Sequence, residues 1–113
     1  MPHKQFRLAP EQFRAIAVGF GACYATDRIT VDGALVGYCY RELADNAVDS
    51  GWRFFAGDES QEYVDDPDNL ALYDVNTIAN YDPSITAILE APVGSAFERN
   101  AHGQLVAVVE GEA

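Results

Sequence analysis

Proline and glycine recur along this chain so often that its secondary-structure elements must be short. Pro10, Gly19, Gly21, the Asp32-Gly33 pair, Pro67, Pro83, Pro92 and Gly103 each interrupt an otherwise periodic stretch. Proline denies a helix interior its amide donor, and glycine weakens any regular element that contains it. Between these breaks, residues 9–17 read as a short helix, with Pro10 in the first turn and Phe13, Ile16 and Ala17 on one face. Residues 18–26 read as a strand in which Gly19 and Gly21 signal close backbone approach or a bulge. Asp32-Gly33 is a turn signal flanked by Val31 and Leu35-Val36, which suggests a hairpin. Residues 35–41 and 52–55 read as strands, the first with one wetter face, and residues 70–75 as another.

The helices are expected between these strands. Asp58 is positioned to cap one that ends near Tyr63, before Pro67 forbids continuation. Asn76 or Thr77 could cap a turn through residue 80, and Asp82 another, with Pro83 at its first position and Pro92 beyond its end. Residues 94–99 and 104–109 complete a terminal hairpin. Strands and helices do not alternate regularly, so the expected class is α+β. The expected architecture is one domain over residues 1–113, a small, mostly antiparallel sheet with two or three short helices, frayed over residues 1–8.

The 113 residues are 49% hydrophobic, enough for a single core. Charge is far less evenly spread. Eighteen acids face seven bases, a net −11. No lysine or arginine lies between Arg53 and Arg99, a span that holds Asp58, Glu59, Glu62, Asp65, Asp66, Asp68, Asp74, Asp82, Glu90 and Glu98. The other eight acids nearly cancel the seven bases. A field of this sign disfavours nucleic acid and anionic membranes and favours a basic protein partner. The N-terminus carries no apolar leader segment, and no stretch approaches the roughly 20 apolar residues of a membrane span. A cytoplasmic protein is expected.

Catalytic chemistry finds little support. His3 and His102 have no nucleophile beside them in sequence. Cys23 and Cys39 lack the spacing of a zinc or redox pair and read as two buried thiols, with a cross-strand disulfide as the alternative. The acidic run 58–68 lacks the glycine and terminal glutamate of an EF-hand. Carboxylates in pairs can serve as acid and base, but sequence adjacency fixes no separation in space. The glycines do not form a phosphate loop. No cofactor and no metal are expected. Aromatics are the more informative set: Tyr24, Tyr38, Tyr40, Trp52, Phe54, Phe55, Tyr63, Tyr73 and Tyr81 surround the acidic stretch. Most serve a core, yet tyrosine and tryptophan are also preferred interface anchors, and Trp52 followed by Arg53 is the strongest such pair.

Five segments carry a family resemblance: DRITVDG (27–33), VGYCYRE (36–42), DSGWRFFAGDESQEYVDDPDN (49–69), YDVNTIANYDPSI (73–85) and APVGSAFER (91–99). Over about residues 20–99 the chain resembles the immunity protein 33 family of bacteria. The resemblance carries Gly51, Trp52, Phe54, Gly57, Asp58, Glu59, Asn76, Asn80, Tyr81, Pro83 and Phe97. It implies a protein that binds and neutralises a toxin domain, and it supplies no catalytic residues. In that reading Trp52 and Arg53 anchor a partner, possessed of a basic surface, while Asp58, Glu59, Glu62, Asp65, Asp66 and Asp68 form a charged rim. The alternative is a stand-alone ligand- or peptide-binding domain with a pocket formed by Tyr38, Tyr40, Asn76, Asn80 and Tyr81. An enzyme using carboxylates or a metal is a third, weaker reading.

Overall fold

The computed structural model describes residues 4–108; His3 and the end of the expected terminal hairpin lie outside the described residues. The chain runs β1 (Ala22–Thr26), α1 (Asp27–Thr30), β2 (Tyr38–Arg41), β3 (Asp49–Phe55), α2 (Gln61–Asp65), β4 (Leu70–Asp74), α3 (Val75–Tyr81), β5 (Ala96–Arg99) and β6 (Leu105–Ala107). Single 3-10 turns occupy Pro10–Gln12, Pro67–Asn69 and Pro83–Ala87. The strands form one sheet in the order β4-β1-β3-β2-β5-β6. The class is α+β, but the sheet is mixed rather than mostly antiparallel, because the central pair β1 and β3 runs parallel.

The parallel pair follows from what Asp32-Gly33 does. It is not a hairpin turn. Gly33 adopts a φ of +80° and its amide bonds the Ile29 carbonyl at 3.1 Å, ending α1 as a left-handed cap. The chain is therefore carried away from β1 before β2 begins, and β3 returns to fill the gap between them. Gly51 makes that insertion possible. The β1–β3 register slips between Ala22↔Asp49 and Tyr24↔Arg53, and Gly51 in the slipped stretch has a φ of +89°. A Cβ there would also sit 2.2 Å from the Glu42 carbonyl oxygen.

Period-two alternation on the central strands separates two faces. One face presents Cys23, Ala25, Cys39, Trp52 and Phe54, all without exposed surface, against Ile29, Val75, Ile78, Ala79, Ile85 and Leu89. Trp52 stacks on Phe54 with ring centres 5.8 Å apart, and its indole N–H donates to the Leu89 carbonyl at 3.2 Å. Cys23 and Cys39 are free, on strands separated by β3. Two strand spacings, roughly 10 Å, exceed disulfide reach. Burial pushes both thiols up, Cys39 to about 12, so neither is a thiolate near neutral pH.

Two helix caps fall to residues whose side chains have no other hydrogen bond among the described residues. Ser60 caps α2, accepting from the Tyr63 amide at 3.1 Å, because the Asp58 carboxylate is bound to Arg28. Asp74 caps α3 because the Asn76 side-chain oxygen already accepts from the Ile16 and Ala17 amides at 2.7 and 2.8 Å. Asp82 does precede Pro83 as a cap, although the element is 3-10 and ends at Ala87. Its carboxylate, nearly buried, also accepts from the Val36 amide and from Arg99, which ties this turn to β5. The expected helix over 9–17 is reduced to the turn Pro10–Gln12, because residues 14–17 form no regular element and are bonded instead to α3. Asn76 and Asn80 hold that segment: both donate to the Arg14 carbonyl at 2.9 Å, and Asn80 accepts from the Arg14 amide. No helix among the described residues is long and apolar enough to cross a membrane.

Arg53 occupies the middle of the opposite face, 4% exposed. Its guanidinium donates to Glu42 at 2.6 Å and to both Asp49 oxygens at 2.9 and 2.8 Å, and it lies 4.9 Å from the centre of the Tyr24 ring. The hydrogen bonds from Arg53 hold Asp49 well below the usual carboxylate range. A depressed folded-state value gives stability that is present above the unfolded-state pKa and is lost as pH falls below it. Asp49→Asn should therefore cost about 3 kcal/mol in urea unfolding at pH 7, and the gap to wild type should narrow progressively below about pH 4. Asn76→Ala should cost about 2 kcal/mol and speed hydrogen exchange at Ile16 and Ala17 selectively, leaving the sheet amides protected.

Candidate functional site

Among the described residues, no helix packs over the centre of the face that carries Arg53. Cross-strand registers arrange it in two rows. One runs Leu72, Tyr24, Arg53, Tyr40, Ala96; the other passes through Phe55, Tyr38, Glu98 and Val106. Tyr24, Tyr38, Tyr40 and Phe55 are half-buried, and Leu72 is 58% exposed. The aromatic positions follow from strand alternation: Tyr38 and Tyr40 flank the buried Cys39, and Arg53 and Phe55 flank the buried Phe54. Tyr40 stacks on Phe55 at 5.9 Å with 17° between the planes, while Tyr38 lies 6.0 Å from Tyr40 and 6.1 Å from Phe55. Burial, then the Glu42 charge, raises the Tyr40 phenol above its ordinary value.

Two hollows flank this ring cluster. The first, of about 200 Å³, is lined by Tyr38, Tyr40, Phe55, Gly57, Glu59 and Val64. The second, of about 360 Å³, extends from the tyrosines past Glu42 to Gly94, Ser95 and Ala96. Each hollow thus has a carboxylate in its wall. Glu59 enters the first because it closes the loop after β3: it accepts from Thr26 Oγ1 at 2.5 Å and from the Ala56 and Gly57 amides at 2.8 and 2.9 Å. Val64 belongs to α2, so the acidic segment borders the aromatic face directly.

Within that segment the carboxylates divide by role. Asp58 binds Arg28 through both oxygens, at 3.1 and 2.6 Å, and Arg28 also reaches Asp32. The Arg28 hydrogen bonds hold Asp58 below its ordinary value. Asp66 caps the turn Pro67–Asn69, and Asp65 accepts from Gln61 at 2.8 Å one helical turn away. Glu62, Asp65, Asp66 and Asp68 are all exposed.

The expected site residues are therefore redistributed. Trp52 is a core residue with no surface to offer a partner, and Arg53 is committed to Glu42 and Asp49, so neither is placed as an anchor. Glu59 has a structural role beyond that of a rim charge. The expected pocket does not form as one cavity: Tyr38 and Tyr40 lie on the open face, while Asn76, Asn80 and Tyr81 belong to α3 on the other, where the Tyr81 hydroxyl accepts from the Leu8 amide at 3.1 Å. Tyr24, Phe55, Glu42 and Glu98 complete the open face and were not singled out as site residues from the sequence. The alternation along 52–55 and 38–40 carries the signal for Phe55; Tyr24 and Glu98 depend on register. His102 sits exposed in the turn before β6.

The model of one protein family, the Immunity protein Imm33 domain, matches residues 23–109, which take in the whole sheet except Ala22 at the start of β1. No curated protein and no solved structure matches the chain significantly. The match covers most of the chain, includes all residues of the open face and agrees with the resemblance carried by residues 27–99. This chain belongs to the Imm33 family of immunity proteins.

Proposed function

We propose that this chain is an immunity protein that neutralises a cognate toxin by binding it directly, with the open sheet face and the adjoining acidic segment as the contact surface. The observation that carries the reading is an uncovered aromatic face bordered by carboxylates in a chain of net charge −11. Tyrosine and phenylalanine supply contact area with little side-chain entropy to lose, and their half-buried rings are already ordered by mutual packing. The exposed carboxylates of Glu62, Asp65, Asp66 and Asp68 steer a basic surface toward that face. A toxin that acts on a polyanion carries such a surface, and occupying it keeps the polyanion out. Inhibition of this kind needs no chemistry from the inhibitor, in keeping with the buried, protonated thiols. The partner would be met in the cytoplasm, before it reaches an intracellular target.

Co-expression with a toxin encoded beside it should restore growth to a host the toxin otherwise kills, and the two proteins should co-purify in equal amounts. Killing that persists despite soluble expression contradicts the reading. Reversing Glu62, Asp65 and Asp68 together to lysine, which spares the structural carboxylates Asp58 and Glu59, should slow association about tenfold at low salt, and the difference should vanish by about 0.5 M salt. An unchanged on-rate removes the electrostatic part of the account.

A further inference from the structure

Glu59 differs from the carboxylates that arginines bind near the open face. Asp49 and Glu42 are paired with Arg53, and Asp58 and Asp32 with Arg28. Glu59 is held only by neutral donors, the Thr26 hydroxyl and two amides, and no lysine or arginine is paired with it among the described residues. The two nearby arginines are consumed by other carboxylates, and residues 54–98 contain no other base. Neutral donors fix the position of a charge but do not cancel it. Glu59 is half-buried, so water compensates it only in part. Its Oε2 takes two hydrogen bonds and its Oε1 one, which leaves acceptor capacity on a carboxylate that offers about four lone-pair positions.

That charge lines a hollow whose other walls are the rings of Tyr38, Tyr40 and Phe55 together with Gly57 and Val64. Aromatic faces attract cations, and a planar guanidinium both stacks on a ring and bonds a carboxylate. The same face already holds one such arrangement internally, since Arg53 lies over Tyr24 while bound to acids. The volume decides the scale of the occupant. About 200 Å³ falls below the roughly 300–1,000 Å³ of small-molecule pockets and suits one long side chain.

We infer that this hollow receives a single arginine side chain of the protein partner, its guanidinium stacked against Tyr40 and Phe55 and bonded to Glu59. The inference rests on the reading that a protein docks on this face, and it names the group that enters. Arginine is favoured over lysine because the Tyr40 and Phe55 rings are stacked nearly parallel, 17° apart, and a planar cation extends such a stack better than a tetrahedral one. Such a contact lies on the central strands β2 and β3, where the aromatic face meets the acidic segment.

The test uses the full chain and N-acetyl-arginine amide as probe, with N-acetyl-citrulline amide as the neutral isostere and N-acetyl-lysine amide as the alternative cation, followed by nuclear magnetic resonance. Arginine amide should shift the Gly57 and Glu59 amides and the Tyr38 and Tyr40 ring protons saturably, with an affinity at least about tenfold above that of citrulline amide. Tyr40→Leu, which keeps an apolar side chain beside the hollow, should weaken arginine binding without moving the resonances of α3. Equal responses to arginine and citrulline, or shifts that never saturate, overturn the inference. So does a preference for lysine, which assigns the hollow to an ammonium instead. Each of these results leaves neutralisation to stand or fall on the co-expression experiment.

Discussion

An arginine enclosed at the centre of a sheet must be paired, and much of this molecule follows from how Arg53 is paired. Leaving its charge uncompensated would cost about 3–5 kcal/mol, a large part of the stability of a domain this size. Asp49 supplies two hydrogen bonds from the start of the same strand, across the bulge at Gly51, and Glu42 supplies a third from the end of β2. The pairing therefore fixes the bulge, the loop between β2 and β3, and the position of Tyr24 beneath the guanidinium. With Trp52 and Phe54 packed below and Arg53 clamped above, β3 has little freedom, and the rings of Tyr38, Tyr40 and Phe55 are presented on a rigid surface.

The acids of this chain do two kinds of work, and formal charge alone does not separate them. Asp49, Asp58, Asp74, Asp82 and Glu59 hold the fold through ion pairs, caps and loop closure. Glu62, Asp65 and Asp68 are exposed beside the open face, and exposed Asp66 does both, since it also caps the turn Pro67–Asn69. The net charge comes from both, but Asp49, Asp58 and Asp82 are neutralised at short range by arginines, so the field that would meet a partner comes mainly from the exposed acids and from Glu59. The acidic stretch is thus neither wholly a recognition surface nor wholly a solvated loop.

Local chemistry made some of this legible in the sequence. Strands around residues 38–41, 52–55 and 70–74, the Asp82-Pro83 start and the terminal hairpin all follow from alternation and from turn residues. The misreadings came from competition between local options. Asp32-Gly33 fits a hairpin equally well by composition, but α1 captures Gly33 as its cap, and the sheet becomes mixed. Asn76 suits a cap, but its side chain is drawn to residues 14–17, some 60 positions away. Trp52 and Arg53 look like an interface pair until β3 is placed in the centre of the sheet, where Trp52 enters the core and Arg53 is taken up by Glu42 and Asp49. The two halves of the expected tyrosine and asparagine pocket likewise separate once the sheet has two sides.

Membership of a family of immunity proteins, the aromatic face and the neighbouring acidic edge support the proposed account, in which recognition occurs on the side of the sheet away from α3. Oxidative footprinting of the tyrosines, with and without the toxin bound, tests it most directly. The account predicts that Tyr38 and Tyr40 lose labelling in the complex while Tyr81, on the α3 side, is labelled as before. Protection of Tyr81 with Tyr38 and Tyr40 unchanged would place the toxin on the opposite side and contradict it.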